Sequence, residues 1–462
     1  MQEATYGQWT IVILFFVVLF FISPKAKNMG EFFLASKDGR SPSFLMLTSS
    51  LVISWIFAKS ITNAANLGFQ SGIVGGIAYA AYYLSFLVAG LVIYQMRVKG
   101  NIKSIHSFLE RKFGKSSLLV FSILIGIRLF NEVWSNTMVI GSYFGEAGTI
   151  NYYFAILLFT SLTLAYTLKG GLSSSFFTDA IQMTLFGCLL FLILGQLLPA
   201  HVGEILPEIR GEGWDVVGGF NLLAVALLQV FSYPFHDPVL TDRAFIASPK
   251  VSLNSFLTAT GVGGLCILLF SFVGVIARSK GLEGDPAVEI SSTFGIGMML
   301  MMNSIMITSA ASTLDSAFAS FSKLTVMDLG LKEKSNLSIG RWAMVLLAML
   351  GTIPVFLGPE ILSATTISGL MVMGLTPVFI CWRTQVPKVS FHLSVGISLL
   401  LGILMALGLI PSFLIFFKGK YGDLLSISLI SLILSFLFFF IPKWIFKSNQ
   451  KLKILATFQE KF

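Results

Sequence analysis

Residues 51–63 read Leu-Val-Ile-Ser-Trp-Ile-Phe-Ala-Lys-Ser-Ile-Thr-Asn and lie within the longer, mostly apolar stretch 42–69. A helix needs about 20 mostly apolar residues to cross a bilayer, and this stretch is long enough. Its lysine, Lys59, lies far from either end, where a charge costs roughly 2.5–3.5 kcal/mol on insertion scales. The stretch therefore predicts a membrane helix with a functional or paired lysine inside it.

The composition of the whole chain agrees with this prediction. Of 462 residues, 55% are hydrophobic and 11% are charged, whereas soluble domains carry about 25% charged residues. This excludes a disordered chain, a coiled coil, a secreted disulfide scaffold and an ordinary soluble enzyme. The three cysteines lie in apolar segments without a Cys-x-x-Cys pair, so neither disulfides nor structural zinc are expected.

Apolar runs separated by turn-rich, charged gaps predict about 13 membrane spans in an all-α polytopic membrane protein. The first run, near the N-terminus, is expected to be a retained helix because no basic segment precedes it. The runs 42–69 and 292–327 are long and rich in small polar residues, which predicts tilted, broken or polar-lined helices. The predicted spans are 7–23, 42–69, 74–96, 116–143, 151–168, 175–197, 218–236, 251–277, 292–327, 341–357, 360–382, 390–410 and 423–442.

The lysines and arginines divide unequally between the two sets of loops. One set contains 23 and the other contains five. Because basic loops stay in the cytoplasm, this predicts an N-terminus outside and a C-terminus inside. The net charge of +9 is thus interpreted as a topology signal, and a nucleic-acid partner is not expected.

Several charged residues besides Lys59 fall within or close to spans. Arg128 and Glu132 are four residues apart, so they are predicted to pair on one helix face. Asp179 lies near a span end, where it could favour the helix dipole. Asp315 lies deep in 292–327 and is a candidate for a binding or coupling role.

A row of hydroxyls follows one face of the span 292–327. Ser309, Ser312, Thr313 and Ser316 are spaced i, i+3, i+4 and i+7, which places them on one side of a helix. Hydroxyl and carbonyl oxygens suit a hard cation such as Na⁺. A row of small residues also lets two membrane helices pack closely, and periodicity alone does not choose between these interpretations.

Four segments, in order along the chain, resemble motifs of the sodium/solute symporter family. Glu31–Arg40 is similar to the segment between its first two helices, and 170–182 is similar to its Gly-Gly…Trp-Thr-Asp-x-x-Gln signature, with Phe177 in place of Trp. Residues 238–249 resemble its Gln-Arg segment, and 312–328 resemble its eighth core helix with the closing Thr-x-Asp.

This resemblance implies the LeuT-type fold, in which two five-helix repeats of inverted topology hold a site at broken helices. The repeats would be 42–197 and 218–382. Residues 1–41 would form a peripheral helix and loop, and 390–462 peripheral helices and a tail, within a single membrane domain. The plasma (cytoplasmic) membrane is the expected location.

The family's sodium ligands also map onto this sequence. The resemblance implies carbonyl ligands at Ile53 and Ile56 and hydroxyl ligands at Ser312 and Thr313. It also places Ser309 in the third helical position. Asp179 matches the acid that supports this site from the fifth core helix.

The resemblance implies solute contacts that are less closely defined. Tyr233 matches an aromatic gate of the sugar-transporting branch, and Tyr79 falls where that branch has a sugar-binding acid. Ser54, Trp55 and Asp315 complete the expected solute set together with Lys59. The lysine departs from the family pattern: it could bind a substrate carboxylate, replace a second sodium ion, or pair with an acid such as Asp315.

We therefore expect a secondary-active symporter, not an enzyme, that imports a small polar solute with Na⁺ as its coupling ion. Membrane lipid is the only other partner expected, since no obligatory protein partner is evident. The absence of a phosphate-binding loop argues against ATP-driven transport by this chain. Proton coupling through Asp179 or Asp315 is the alternative mechanism, and a transporter-like solute sensor is the alternative class.

Overall fold

A computed structural model of the protein describes residues 2–36, 40–208, 215–329, 336–358 and 367–459. The described residues form an all-helical bundle. In the first half the helices are α1 Gln2–Ile22, α2 Met29–Leu34, α3 Phe44–Ile53, α4 Ala58–Ala80, α5 Leu84–Gly100, α6 Ile105–Phe113, α7 Lys115–Ser142, α8 Ile150–Gly170 and α9 Leu172–Glu208.

The second half continues the bundle. Its helices are α10 Val216–Gln229, α11 Pro238–Ile246, α12 Pro249–Ser279, α13 Pro286–Thr293, α14 Ile296–Lys323, α15 Leu337–Thr352, α16 Leu375–Ile380, α17 Val389–Ala406 and α18 Gly422–Gln459. A π-helical turn, Leu324–Asp328, extends α14. The start of the predicted span 360–382 lies outside the described residues.

Within these described ranges, nine helical segments are long and apolar enough to cross a membrane. Three shorter apolar helices, Tyr6–Ile22, Phe44–Ile53 and Val216–Gln229, accompany them. The chain is therefore a multi-pass membrane protein, while the count of 13 spans and the orientation of the termini stay predictions.

The predicted span 42–69 is broken between α3 and α4, at residues 54–57. Two hydroxyl groups donate to backbone carbonyls at or next to this break. The Ser54 hydroxyl donates to the Ser50 carbonyl (2.5 Å), and the Tyr83 hydroxyl donates to the Trp55 carbonyl (2.7 Å). The break thus leaves peptide carbonyls in the middle of the bundle, where ions and solutes can reach them.

A second break separates α10 from α11. A short 3₁₀ helix, Tyr233–His236, lies between them. Pro234 and Pro238 both lack an N–H, so two backbone hydrogen bonds of a continuous α-helix cannot form here. Asp237 caps α11 by accepting a hydrogen bond from the Val239 N–H (3.0 Å). The Trp55 indole donates to Asp237 (2.8 Å) and brings the two breaks together.

Helices α4 and α12 pack backbone against backbone. A Cβ added to Gly274 would overlap the carbonyl of Ala65, and one added to Gly68 would overlap the carbonyl of Ser271. Only glycine permits this approach, which small residues commonly provide between membrane helices. The first break and α12 are therefore fixed relative to one another.

Candidate functional site

The hydroxyl face of α14 lies against the first break. The Ser309 hydroxyl donates to the carbonyl of Ile56, and the Ser312 hydroxyl donates to Asp179 (2.5 Å). Thr313 donates to the carbonyl of Ser309 (3.0 Å) within its own helix. A hydroxyl oxygen that donates one hydrogen bond keeps lone pairs for a cation. The hydroxyls, the Ile56 carbonyl and the Asp179 carboxylate therefore provide the hard oxygen ligands that Na⁺ prefers.

Asp179 extends from α9 into a fully buried polar network. Its Oδ2 accepts hydrogen bonds from Ser50 (2.5 Å) and from Nη2 of Arg243 (3.1 Å). The same guanidinium donates to Ser54 (3.1 Å) and Ser316 (2.7 Å). Both charged side chains are fully buried, so each charge depends on the other. Arg243 ties α11 to α3, α9 and α14.

Asp315 belongs to this network but has a different set of partners. Tyr166 (2.6 Å) and Thr178 (2.9 Å) donate to its Oδ2, and Ser175 (2.8 Å) donates to its Oδ1. Ser175 also lies 3.4 Å from Asp179. Among the described residues, no lysine, arginine or histidine forms an ion pair with Asp315. We call Asp179, Asp315, Arg243 and the hydroxyls between them the ion-side network. It contains two carboxylates and one guanidinium, so it lacks one positive charge when both acids are ionised.

A second group of buried charges lies between the two breaks. Lys59 Nζ is 2.8 Å from Glu132 Oε2, Arg128 contacts the other oxygen of Glu132, and Arg128 Nη2 is 3.2 Å from Asp237 Oδ2. These four side chains are at most 4% exposed. We call them the charge quartet. It joins α7, which carries Arg128 and Glu132, to both breaks.

A small aromatic cavity adjoins the charge quartet. Its lining consists of Trp55, Phe57, Ser60, Tyr79, Tyr82, Tyr83 and Tyr233. The Arg128 guanidinium lies 5.2 Å from the ring centre of Tyr233, and Lys59 Nζ lies 4.9 Å from that of Phe57. Both distances are typical of cation–π contacts. The cavity is thus lined by aromatic rings and hydroxyls, and the charged groups of the quartet contact these lining residues from outside the cavity.

The structure groups the predicted solute residues differently from the sequence. Trp55, Tyr79 and Tyr233 line the aromatic cavity, as expected of residues that share a site. Ser54 and Asp315 do not line it, because both contact the network around Asp179. Lys59 is paired with an acid, as one of the three alternatives had it, but that acid is Glu132 and not Asp315. Sequence spacing could not identify Glu132 as the partner, because Glu132 lies on another helix, α7, 73 residues further along the chain.

Three important residues were not assigned to the site from the sequence. Asp237 and Arg243 fall between the predicted spans 218–236 and 251–277, in a segment counted as a loop. Glu132 was assigned to its i,i+4 partner alone, and that contact is confirmed. The Pro-Phe-His-Asp-Pro segment 234–238 was the available signal for a second break.

Comparison with solved structures shows the fold. A Na⁺-coupled sialic acid symporter in a substrate-bound outward-open state aligns with a TM-score of 0.72 and 15% identity, over 94% of this chain and 98% of that chain. A transporter of the nucleobase-cation-symport-1 family aligns with a TM-score of 0.56 and 13% identity, over 92% and 95% of the two chains. These proteins have the LeuT fold, so this chain is a multi-pass membrane protein with the fold of LeuT-type transporters.

Sequence comparison makes the relationship more specific. A model of the sodium:solute symporter family matches residues 32–202. Solute carrier family 5 member 4A of Mus musculus is 25% identical over 251 residues, 50% of this chain and 37% of that protein. The predicted resemblance to the sodium:solute symporter family is thereby confirmed.

Two further relatives differ in the solutes that their names state. Sodium/glucose cotransporter 1 of Ovis aries is 25% identical over 221 residues, 46% of this chain and 30% of that protein. The urea active transporter of Saccharomyces cerevisiae is 24% identical over 285 residues, 55% and 37% of the two chains. The matches thus span about a third of each relative's length. All of these relatives are named as transporters or solute carriers rather than enzymes.

Proposed function

We propose that this protein is a secondary-active symporter that couples the entry of a small polar solute to the inward movement of Na⁺. The contact between the α14 hydroxyl face and the first break carries the proposal. Ser309 reaches the Ile56 carbonyl and Ser312 reaches Asp179, so a cation at this point would hold two halves of the bundle together. The similarity to sodium-coupled relatives supports Na⁺ as that cation.

The proposed ion ligands are the hydroxyls of Ser309, Ser312 and Thr313 with the carbonyls of Ile53 and Ile56, supported by Asp179. The surrounding network supports one monovalent cation, because it lacks one positive charge when Asp179 and Asp315 are ionised. We assign Ser54 and Asp315 to this ion-side network. The solute would then bind at the aromatic cavity, close to Trp55, Tyr79 and Tyr233. The cavity would have to widen for this, because its volume of about 20 Å³ has room for about one water molecule.

Coupling follows from differential binding. Ion and solute would each stabilise the state in which the breaks, α7 and α14 are closed together, and each would therefore raise the affinity for the other. The alternating-access cycle would open this closed state to either side. The plasma membrane is the proposed location, with the C-terminus in the cytoplasm.

A thermal-shift assay of the purified chain tests this proposal. NaCl is compared with KCl and choline chloride at equal ionic strength, first alone and then with a panel of sugars, amides and amino acids. A ligand that binds only the folded state at 100 times its Kd adds about 2.7 kcal/mol of stability. We expect stabilisation by Na⁺ alone and a solute effect that requires Na⁺. Equal stability in all three salts would contradict sodium coupling.

Proton coupling is the second candidate, and it is favoured by the burial of Asp315 without a basic side chain against it among the described residues, since burial disfavours an unpaired carboxylate. A proton on this carboxyl would supply the missing positive charge without a metal ion. In that case Asp315→Asn would leave the response to Na⁺ unchanged and would abolish proton uptake measured with a pH-sensitive dye in proteoliposomes. Under sodium coupling, Asp315→Asn would instead weaken the stabilisation by Na⁺.

A further inference from the structure

The charge quartet determines which solutes the aromatic cavity can accept. We propose that the site is selective for solutes without net charge, either neutral or zwitterionic, and that Lys59, Arg128, Glu132 and Asp237 enforce this selectivity. The inference rests on the proposed function for the location of the solute. It concerns the net charge of the solute, which the similarity to the relatives does not determine.

Every member of the quartet already has a counter-charge within the protein. Glu132 forms ion pairs with both Lys59 and Arg128, and Asp237 accepts a hydrogen bond from Arg128 (3.2 Å). Further hydrogen bonds hold the two acids in place, since Asn136 donates to Glu132 (2.9 Å) and Trp55 donates to Asp237 (2.8 Å). The two cations and two anions balance, so no member is left over to neutralise a charged solute.

The quartet is close enough to the cavity for this balance to matter. Phe57 and Tyr233 line the cavity on one side and contact the cations of the quartet on the other. His236 lies beside Tyr233, with ring centres 4.9 Å apart. His236 is 2% exposed, and burial disfavours the charged form of an imidazole, so the ring is counted as neutral. The groups around the cavity therefore sum to zero charge.

A solute with net charge would disturb this arrangement. An anion would have to draw Lys59 or Arg128 away from Glu132, and a cation would have to draw away an acid. Breaking a buried ion pair leaves an uncompensated charge, which is strongly unfavourable away from water. A neutral or zwitterionic solute avoids this cost, and it can use the hydroxyls of Ser60 and Tyr79, which are 3.2 Å apart.

The charge inside the cavity can be measured without knowing the solute. Ser60→Cys places a thiol on the cavity wall with little change in size, in a background with Cys188, Cys266 and Cys381 replaced by alanine. The probes are three methanethiosulfonates: neutral hydroxyethyl, anionic sulfonatoethyl and cationic trimethylammonioethyl. Each rate is divided by the rate of the same reagent with free 2-mercaptoethanol, and the anion-to-cation ratio cancels any change in thiol reactivity.

With the quartet intact, we expect the neutral reagent to react fastest and the two charged reagents to agree within about threefold. Glu132→Gln leaves a net positive charge and should raise the anion-to-cation ratio about tenfold or more. Lys59→Met leaves a net negative charge and should lower it by a similar factor. Glu110→Gln, on the exposed side of α6, is the matched control and should leave the ratio unchanged.

The double variant Lys59→Met with Glu132→Gln covers the case in which a single variant does not fold. It retains the balanced pair Arg128 and Asp237, so its ratio should return to that of the intact quartet. A tenfold preference for either charged reagent with the quartet intact would overturn the proposal. A thiol that reacts with none of the three, with or without Na⁺, would overturn the location of the solute at this cavity. Loss of the thermal response to Na⁺ would instead overturn the proposed function.

Discussion

Single hydroxyl groups on α14 connect the proposed ion site to the rest of the molecule. Ser312 faces Asp179, and Ser309 faces the first break. Thr308, one residue before Ser309, points elsewhere and donates to the Ser304 carbonyl of its own helix. Neighbouring hydroxyls on one helix therefore have different partners, and single substitutions can distinguish their contributions.

The double variant Ser312→Ala with Thr313→Ala removes two proposed ligands while preserving the size of the helix face. We expect the sodium concentration for half-maximal stabilisation to rise at least tenfold, about 1.4 kcal/mol. Sodium titrations followed by thermal shift measure it. Thr308→Ala is the control and should titrate like the unmodified protein. A folded double variant with unchanged sodium dependence would rule out these ligands.

Lys59 provides a second test at this scale. Lys59→Met breaks a buried ion pair with Glu132, and such losses cost about 3–5 kcal/mol. We expect a lower Tm, with part of the loss recovered when Glu132→Gln is added, as a double-mutant cycle would report. Adding Asp315→Asn instead should give no recovery, because Asp315 is not a partner of Lys59. A Lys59→Met protein that unfolds like the unmodified chain would contradict the pairing.

At the scale of helices, the predicted cytoplasmic end of the bundle is held by contacts among α6, α11 and the turn after α14. Lys323 contacts Asp242 and lies 3.7 Å from Asp328. His106 Nδ1 lies 3.5 Å from Asp328. Burial lowers the pKa of His106, while the nearby Asp328 carboxylate partly opposes this effect.

The His106 shift predicts a dependence of stability on pH. Because its pKa is lower in the folded state, the unfolded chain binds its proton more tightly, and stability falls as the pH drops below about 6.5. His106→Gln removes this contribution. Comparing the Tm of both proteins between pH 7 and pH 5 should show a smaller decrease for His106→Gln. Equal decreases would show that His106 does not contribute.

Sequence patterns predicted those features that depend on nearby residues. The hydroxyl row on α14 and the Arg128–Glu132 contact follow from helical spacing, and both occur in the structure. The contacts of Lys59 with Glu132 and of Arg243 with Asp179 span 73 and 64 residues along the chain. No periodicity determines which helices meet at such distances, so these partners could not be predicted.

For the whole molecule, the two breaks and α7 form a common centre. Trp55 and Asp237 connect the breaks directly, and Arg128 connects Asp237 to α7. The ion-side network lies on the other side of the first break, where Ser54 meets Ser316 (3.1 Å). Residues 54–57 therefore contribute to both proposed sites, the Ile56 carbonyl to the ion site and Trp55 and Phe57 to the aromatic cavity, so each ligand can influence the other.

The glycine contacts between α4 and α12 have a consequence for how the molecule changes shape. Helices α4 and α12 touch at Gly68 and Gly274, and beyond the kink of α4 at Gly72 they touch again, where Gly76 lies against Ser271. They cannot slide past one another without a collision, so they should travel as one rigid body. Spin labels at Ile77 and Leu265, both exposed on these helices, should give the same pulsed-resonance distance with and without Na⁺. Labels at Leu265 and at Ile127 of α7 are the comparison pair, because the distance between α12 and α7 can change when Na⁺ binds. A sodium-dependent shift between Ile77 and Leu265 would show that the hinge passes between the two helices.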